Sequence, residues 1–179
     1  MIVELYFVTS NQWKLREARQ IVPSLKHVKM EIPEMQELDI GEVVREKALK
    51  AYEMVHLPVV VDDTGLHVNA WNGFPGALGK WLVAQVGAEG ICKMMSAYSD
   101  RRAVAETRLA VYDGKKLRTF VGTAKGTIAR KPRGSGFGFD PIFIPRGHSK
   151  TYGEMSIEEK NKISPRGKAF QKLRKLAIS

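Results

Sequence analysis

The chain has 179 residues, of which 44% are apolar and 27% are charged, and its formal net charge is +10. That length suits a single domain spanning 1–179, and the composition argues against disorder, collagen and coiled coil. No apolar run approaches the ~20 residues that cross a bilayer, and no basic leader precedes the first strand. The lone Cys92 excludes an internal disulfide or a thiolate-zinc cluster. We therefore expect a cytoplasmic protein with no membrane partner.

Apolar periodicity and turn residues divide the chain into alternating strands and helices. The first predicted elements are a strand at 2–8, a helix after Asn11 with Leu15, Ala18 and Ile21 on one face, a short strand at 29–32 and a helix at 42–55. A buried strand at 58–62 and two helical segments within 78–97 follow. The last are strands at 103–112 and 117–129, a short strand at 142–144, and helices starting at Ile157 and at about 167. This alternation predicts an α/β fold with a mixed sheet.

Two local signals fix particular boundaries. Asp113-Gly114 between two alternating strands is a strong hairpin signal. Ser156 and Glu159 have the spacing of a capping box, which predicts a helix from Ile157.

The positive charge is concentrated in the last third of the chain. Residues 114–150 carry nine Lys/Arg and one Asp, and residues 160–179 carry seven Lys/Arg and no acid. Such concentration attracts phosphates, either on a nucleic acid or on a small polyphosphate. A solvated basic surface explains the charge equally well, so charge alone leaves all three interpretations open.

The first candidate site is the turn Thr9-Ser10-Asn11, which leads from a strand into a helix that carries Lys14 in its first turn. A helix N-terminus offers unpaired N–H groups and the positive end of the helix dipole, and it therefore attracts anions. An ordinary helix cap beside a surface lysine is the alternative.

The second candidate is Asp62-Asp63 at the end of the apolar run 58–61. Carboxylates are costly to bury unless they bind a metal, a cation or backbone donors. Because neighbouring strand residues point to opposite faces, we expect only one of the two acids to face a given site. Oxygen ligands of this kind suit Mg²⁺; a carboxylate that caps the following turn is the alternative.

The third candidate is the glycine-rich loop at 134–141, where Phe137 and Phe139 could stack on a base and Asp140 could accept hydrogen bonds. A tight turn with two core aromatics is the alternative. In the basic C-terminal region, Lys160 and Arg166 lie near several glutamates, and salt-bridged helix faces would explain most of these charges. Neither a Walker A spacing nor a Gly-x-Ser-x-Gly elbow is present.

Taken together, the motifs resemble one family, the inosine triphosphate pyrophosphatases, also called Ham1-like. The matching stretches are TSN-x-x-K at 9–14, PEMQ at 33–36, VDDTGL at 61–66, GFPG at 73–76, GFGFDPIF at 136–143 and EM-x-x-EEKN-x-IS at 154–164. They follow the order of the family and span nearly the whole chain.

The resemblance implies a fold, a reaction and a set of partners. The fold would be an elongated mixed sheet flanked by helices, with two lobes and the nucleotide in the cleft between them, usually as a homodimer. The reaction would be hydrolysis of deaminated purine nucleoside triphosphates (ITP, dITP and XTP) to the monophosphate and pyrophosphate, which clears them from the nucleotide pool.

The resemblance also implies residue roles. Asp63 would be the general base and, with Glu34, a ligand of Mg²⁺, while Asp62 would support the site from the other face of the strand. The implied substrate contacts are Thr9, Ser10, Asn11, Lys14 and the N–H groups of Gln12 and Trp13 for the triphosphate, Lys47, Thr64 and Lys80 as further contacts, and Phe137, Gly138, Phe139, Asp140, Lys160 and Arg166 for the nucleoside.

One departure from the family pattern concerns the base. The family usually has Ser-His-Arg where this chain has Ser164-Pro165-Arg166, so a histidine contact is lost and the base preference is open. The alternatives are a Maf-type nucleotide pyrophosphatase, against which 136–143 and 154–164 argue, and a basic nucleic-acid-binding protein. Nucleic-acid binding leaves Glu34 and the Asp62-Asp63 pair unexplained, because acids repel a phosphate backbone.

Overall fold

A computed structural model describes residues 4–178 of the chain, with side chains up to Lys175. The strands are β1 (Tyr6–Val8), β2 (Lys26–Val28), β3 (Val59–Val68), β4 (Pro75–Gly76), β5 (Arg102–Tyr112), β6 (Leu117–Ile128) and β7 (Phe143–Pro145). The helices are α1 (Gln12–Ile21), α2 (Ile40–Val55), α3 (Gly79–Met94), α4 (Ile157–Ile163) and α5 (Pro165–Ile178). Within the described residues, no helix is both long and apolar enough to span a membrane.

The strands form one mixed sheet of seven, in the order β2-β1-β3-β5-β6-β7, with β4 paired to β3. β1 lies parallel to β2 and to β3, whereas β3, β5, β6 and β7 are antiparallel neighbours. The class predicted from the sequence, a mixed α/β sheet flanked by helices, is therefore confirmed.

The hydrophobic core is divided between two lobes that share the long strands β3 and β5. In the first lobe, α1 and α5 pack on one face of the sheet around Phe170, and α2 packs on the other face around Val44. In the second lobe, α3 packs against β3, β5 and β6 around Phe143. β3 contributes Val60 to the first lobe and Leu66 to the second, so residues 62–65 lie where the two lobes meet.

Local signals predicted several boundaries correctly. β5 and β6 flank Asp113-Gly114, and both halves of the capping box at Ser156 and Glu159 are formed. The two helical segments predicted within 78–97 are the two parts of α3, which the non-helical backbone of Gly87 (φ 68°) separates; a 3₁₀ turn at Met95–Ala97 follows them.

Three predicted strands differ from the structure. The short strand predicted at 29–32 is wrong, because β2 occupies Lys26–Val28 instead. The first strand forms only at Tyr6–Val8, with residues 1–3 outside the described part of the chain. The strand predicted to stop at Asp62 continues to Val68, because β5 pairs with it along its whole length. The two acids therefore lie within a strand, not after it.

Two lysines of α5 reach the edge of β6 that faces away from β5. The Lys168 and Lys172 ammonium groups donate hydrogen bonds to the backbone carbonyls of Thr123 and Val121. A Cβ at Gly122 would lie 2.0 Å from the Pro165 carbonyl oxygen, so only glycine permits so close a contact between strand and helix.

Candidate active site

A cavity of about 450 Å³ opens between the two lobes, a volume typical of small-molecule sites. Every residue to which the sequence assigned a role lines it, apart from Asp62, Gln12 and Trp13. Those that line it are Thr9, Ser10, Asn11, Lys14, Glu34, Lys47, Asp63, Thr64, Lys80, Phe137, Gly138, Phe139, Asp140, Lys160 and Arg166. The fold thus gathers residues from distant parts of the chain around one space.

Side chains of the turn that leads into α1 already accept hydrogen bonds from backbone N–H groups at the start of the helix. The Asn11 side-chain oxygen accepts hydrogen bonds from the N–H groups of Trp13 (2.9 Å) and Lys14 (3.3 Å), and the Thr9 hydroxyl accepts one from the Asn11 N–H (3.1 Å). The Trp13 side chain is exposed and lies against Arg16. A phosphate that takes the Trp13 N–H must therefore displace the Asn11 side chain.

Asp62 is fully paired with two cations. Its carboxylate, 2% exposed, accepts hydrogen bonds from Lys14 Nζ at 3.0 Å and from Arg166 Nε at 2.6 Å. Burial favours the neutral acid, but Lys14 and Arg166 outweigh burial and hold the pKa of Asp62 well below its ordinary value. Asp62 is therefore a fixed negative charge that orients the two cations around it.

Asp63 lies in the next position of β3, on the face towards α2, and lines the cavity. Among residues 4–178, no group donates a hydrogen bond to its carboxylate. Burial is the largest influence and raises the pKa of Asp63 to about 6, although Lys14 and Lys47 act in the opposite direction. The carboxylate thus has oxygens available for a ligand.

Glu34 faces the same part of the cavity and is held by lysines. Lys47 Nζ donates to its Oε1 and, at 3.3 Å, to the backbone carbonyl of Asp62, and Lys80 Nζ lies 3.8 Å from its Oε2. Burial would raise the pKa of Glu34, but Lys47 outweighs burial and lowers it. Burial would lower the pKa of Lys47, and Glu34 more than compensates. Both groups therefore stay charged.

The donor set fits a magnesium ion that also binds substrate. Within the described residues there is no group of three or more His, Cys, Asp or Glu side chains that could hold a metal alone. Mg²⁺ usually binds proteins through one or two carboxylates and completes its shell with substrate phosphates and water. Asp63 offers unengaged oxygens, and Glu34 offers oxygens held only by exchangeable lysine contacts.

Another part of the cavity wall combines an aromatic ring with a buried ion pair. Lys160 Nζ lies 2.7 Å from Asp140 Oδ2, and the Phe137 N–H donates to the same oxygen at 3.3 Å. Burial raises the pKa of Asp140 even though Lys160 opposes it. Lys160 Nζ and Arg166 Cζ lie 5.0 and 5.4 Å from the Phe137 ring centre. The Phe137 ring is thus a flat apolar surface beside groups that can donate or accept hydrogen bonds.

Glu17 is the residue that sequence reasoning missed. It is 3% exposed and bridges the C-terminal cations, since its two oxygens accept from Lys160 Nζ and from Arg166 Nη1 (2.8 Å). The glutamates near Lys160 in the sequence are not its partners. The available signal was the position of Glu17 beside Leu15 and Ala18 on the apolar face of α1, where an acid is rare unless it is paired.

Comparisons with known proteins agree with this fold and site. A sequence model of the Ham1 family matches residues 5–176, and the chain belongs to that family. It is 41% identical to the dITP/XTP pyrophosphatase of Saccharolobus solfataricus (95% of this chain, 91% of that one) and 39% identical to inosine triphosphate pyrophosphatase 2 of Trypanosoma cruzi (93% and 88%). The structure of a HAM1 protein from Coxiella burnetii superposes with a TM-score of 0.84 at 28% identity, covering 98% of each chain.

Proposed function

We propose that the chain hydrolyses deaminated purine nucleoside triphosphates (ITP, dITP and XTP) to the monophosphate and pyrophosphate, clearing them from the nucleotide pool. The relatives named above are dITP/XTP and inosine triphosphate pyrophosphatases, and they cover nearly the whole chain. The observation that carries the proposal is the division of the cavity. Part of the wall presents lysines and an unengaged carboxylate, and part presents an aromatic ring with a buried Asp140–Lys160 pair.

At the phosphate end, Lys14, Lys47 and Lys80 neutralise the charge of the triphosphate, and they stabilise the charge that builds on it during the reaction. Asp63 orients the attacking water and accepts its proton, because it lines the cavity and its carboxylate receives no hydrogen bond from the part of the chain that the structure describes. The water oxygen bonds to the α-phosphorus while the α–β bridging bond breaks, and pyrophosphate leaves. Mg²⁺, held by Glu34 and Asp63, supplies Lewis-acid stabilisation of the phosphate oxygens when it is bound.

At the base end, Phe137 stacks on the purine, and the polar groups of Asp140 and Lys160 contact its edge. Pro165 lines this cavity and brings no N–H group, so base selection falls to the neighbouring side chains. A site whose buried polar groups match a 6-oxo purine leaves one of them unpaired when a 6-amino purine enters. Such mismatches discriminate far better than size does.

We further propose that Mg²⁺ is the cofactor, that the protein is a single-domain, cytoplasmic homodimer, and that nucleic acid is not its partner. Leu38 and Phe74, 59% and 44% exposed, are the kind of side chain that a dimer interface covers. The free, buried thiol of Cys92 suits a reducing compartment.

The decisive experiment measures pyrophosphate release from ITP, dITP, XTP, ATP, GTP and the pyrimidine nucleotides UTP and CTP with Mg²⁺, for the wild type and for Asp63→Asn. We expect turnover of ITP, dITP and XTP above ATP and GTP, and loss of that turnover in the variant. Equal activity on ATP would show that the base end lacks selectivity. Turnover only of pyrimidine nucleotides would favour a Maf-type enzyme. No release from any nucleotide would overturn the proposal, and nucleic-acid binding that falls steeply with salt would replace it.

A further inference from the structure

We propose that Thr107 is a positioning residue that directs the hydroxyl proton of Thr64 into the cavity, so that Thr64 donates a hydrogen bond to an oxygen of the bound nucleotide. The inference rests on the proposed function, since it concerns how that site holds its substrate. Thr107 belongs to none of the motifs that pointed to the site.

The two threonines face each other across neighbouring strands. Thr64 on β3 and Thr107 on β5 are register partners, and their hydroxyl oxygens lie 2.7 Å apart. Thr107 is 0% exposed, whereas Thr64 is partly exposed. Both belong to the wall of the cavity.

Burial sets the direction of the hydrogen bond between them. A hydroxyl has one proton to donate and two lone pairs that accept. Among residues 4–178, Thr64 is the only hydrogen-bond partner of the Thr107 hydroxyl. If Thr64 were the donor, the proton of Thr107 would be buried without an acceptor, an arrangement that proteins avoid. Thr107 is therefore the donor and Thr64 the acceptor.

Arg166 occupies the remaining acceptor position of Thr64. Its Nη2 lies 3.0 Å from Thr64 Oγ1, and a guanidinium can only donate. The same guanidinium is held by Asp62 and Glu17, so its direction is fixed. Because Thr64 accepts from both neighbours, its own proton is left over, and the cavity is the space in which it finds an acceptor.

The ligand group that fits this donor is an oxygen acceptor. A nucleotide carries such oxygens on its sugar and on its phosphates. An N–H group at the same place would find both lone pairs of the Thr64 hydroxyl already engaged by Thr107 and Arg166. The chemistry of recognition is the same for both sources, and substrates with and without the 2′-hydroxyl separate them.

The test compares Thr107→Val, which removes the hydroxyl at constant shape, with Thr107→Ser, which keeps it. For pyrophosphate release from ITP and dITP, we expect Thr107→Val to lower kcat/KM by about 3- to 10-fold and Thr107→Ser to stay within about twofold of wild type. In a Thr64→Val background, Thr107→Val should cause no further loss, because the residue it positions is gone. Thr107→Cys, with a weak donor of similar volume, provides the same test if the valine variant is unstable.

The pattern of loss identifies the oxygen. A loss confined to ITP assigns it to the 2′-hydroxyl, and an equal loss with ITP and dITP, matched by weaker inhibition by tripolyphosphate, assigns it to a phosphate. Unchanged kcat/KM in folded Thr107→Val, or an equal loss in the Thr64→Val background, would overturn the inference. Calorimetric binding of ITP to the same variants keeps the two proposals separate. A wild type that binds ITP without hydrolysing it disproves only the reaction, and weaker binding by Thr107→Val still supports the positioning role.

Discussion

The two faces of β3 treat adjacent aspartates in opposite ways. On the face towards α1 and α5, Asp62 is paired with Lys14 and Arg166, and Arg166 continues to Glu17. On the face towards α2, Asp63 receives no hydrogen bond from the described residues. The same side chain one position apart is thus structural in one case and available to a ligand in the other. Partners supplied by distant helices make the difference.

The largest expected effect is the loss of activity on substitution of Asp63, which distinguishes this residue from Asp62. Asp63→Asn removes the carboxylate that orients water, and we expect kcat to fall by about 10²- to 10⁴-fold, the usual contribution of a general base. Asp63 has no hydrogen-bonded partner to lose among the described residues, and because burial raises its pKa to about 6, its charge opposes folding at neutral pH. The urea midpoint should therefore stay at or above that of the wild type. Steady-state kinetics and a denaturation curve on the same preparation measure both. A large drop in stability would mean that Asp63 is also structural.

The reverse outcome is expected for its neighbour. Asp62→Asn leaves Lys14 and Arg166 buried without their counter-charge, and removing one partner of a buried pair costs about 3–5 kcal/mol. Urea unfolding monitored by tryptophan fluorescence measures the loss, with Asp63→Asn as the matched control. If the two variants were equally stable, the contrast between the faces would be wrong.

A substitution of Glu17 tests whether the ion pairs around Asp62 and Arg166 extend as far as Glu17 and Lys160. Glu17→Gln keeps the shape but removes the charge between Lys160 and Arg166, and we expect a loss of about 1.5–3 kcal/mol, the range for hydrogen bonds to charged groups. Glu158→Gln is the control, because Glu158 is exposed and its interactions with Gln20, Ser156 and Lys162 lie on the protein surface; its effect should stay within ~0.5 kcal/mol. Equal effects of the two changes would show that burial of the Glu17 charge contributes nothing.

The pH dependence of the same pair sharpens this result. Burial would raise the pKa of Glu17, but Arg166 and Lys160 outweigh burial and lower it below the ordinary value. A carboxyl with a depressed folded-state pKa stabilises the fold above its unfolded pKa, about 4.3, and loses that contribution as pH falls through the folded-state pKa. The difference in unfolding free energy between wild type and Glu17→Gln should therefore shrink below about pH 4.3. A difference that grows on acidification would reverse the sign of the argument.

The smallest expected effect is at the N-terminus of α4, away from both aspartates of β3. Ser156→Ala removes one half of the capping box of α4, and such changes cost about 1 kcal/mol. Since α4 carries Lys160, a change in KM for ITP without a change in kcat would mean that the cap also holds the base end in place. Thermal unfolding and steady-state kinetics measure the two effects.

Local patterns in the sequence predicted most of the fold. The hairpin at Asp113-Gly114 and the capped start of α4 depend on neighbouring residues, and both formed as predicted. Five of the six motifs contribute residues to the cavity wall, whereas GFPG at 73–76 does not. The end of β3 was misplaced because two acids in a strand look unfavourable until their partners are known. Those partners, Lys14 and Arg166, lie 48 and 104 positions away in the chain.

The occupied cap of α1 was the alternative that the sequence left open, whereas the partners of Glu17 could not be read from the sequence. Asn11 was identified as a phosphate contact, but only the folded turn shows its side chain on the Trp13 N–H. Glu17 meets Lys160 and Arg166 across 143 and 149 positions. Pairings over such separations depend on how helices pack, which short-range periodicity does not encode.

The lysines of α5 along β6 have a consequence for how copies of this protein meet. An open strand edge is a template on which another chain can add a strand and so begin to aggregate. Here the outward carbonyls of Val121 and Thr123 are occupied by Lys172 and Lys168, and α5 lies against Gly122 between them. A strand of another molecule therefore cannot pair with β6 along this stretch. The helix that brings Arg166 to the cavity thus also blocks strand addition at residues 121–123, in the middle of β6.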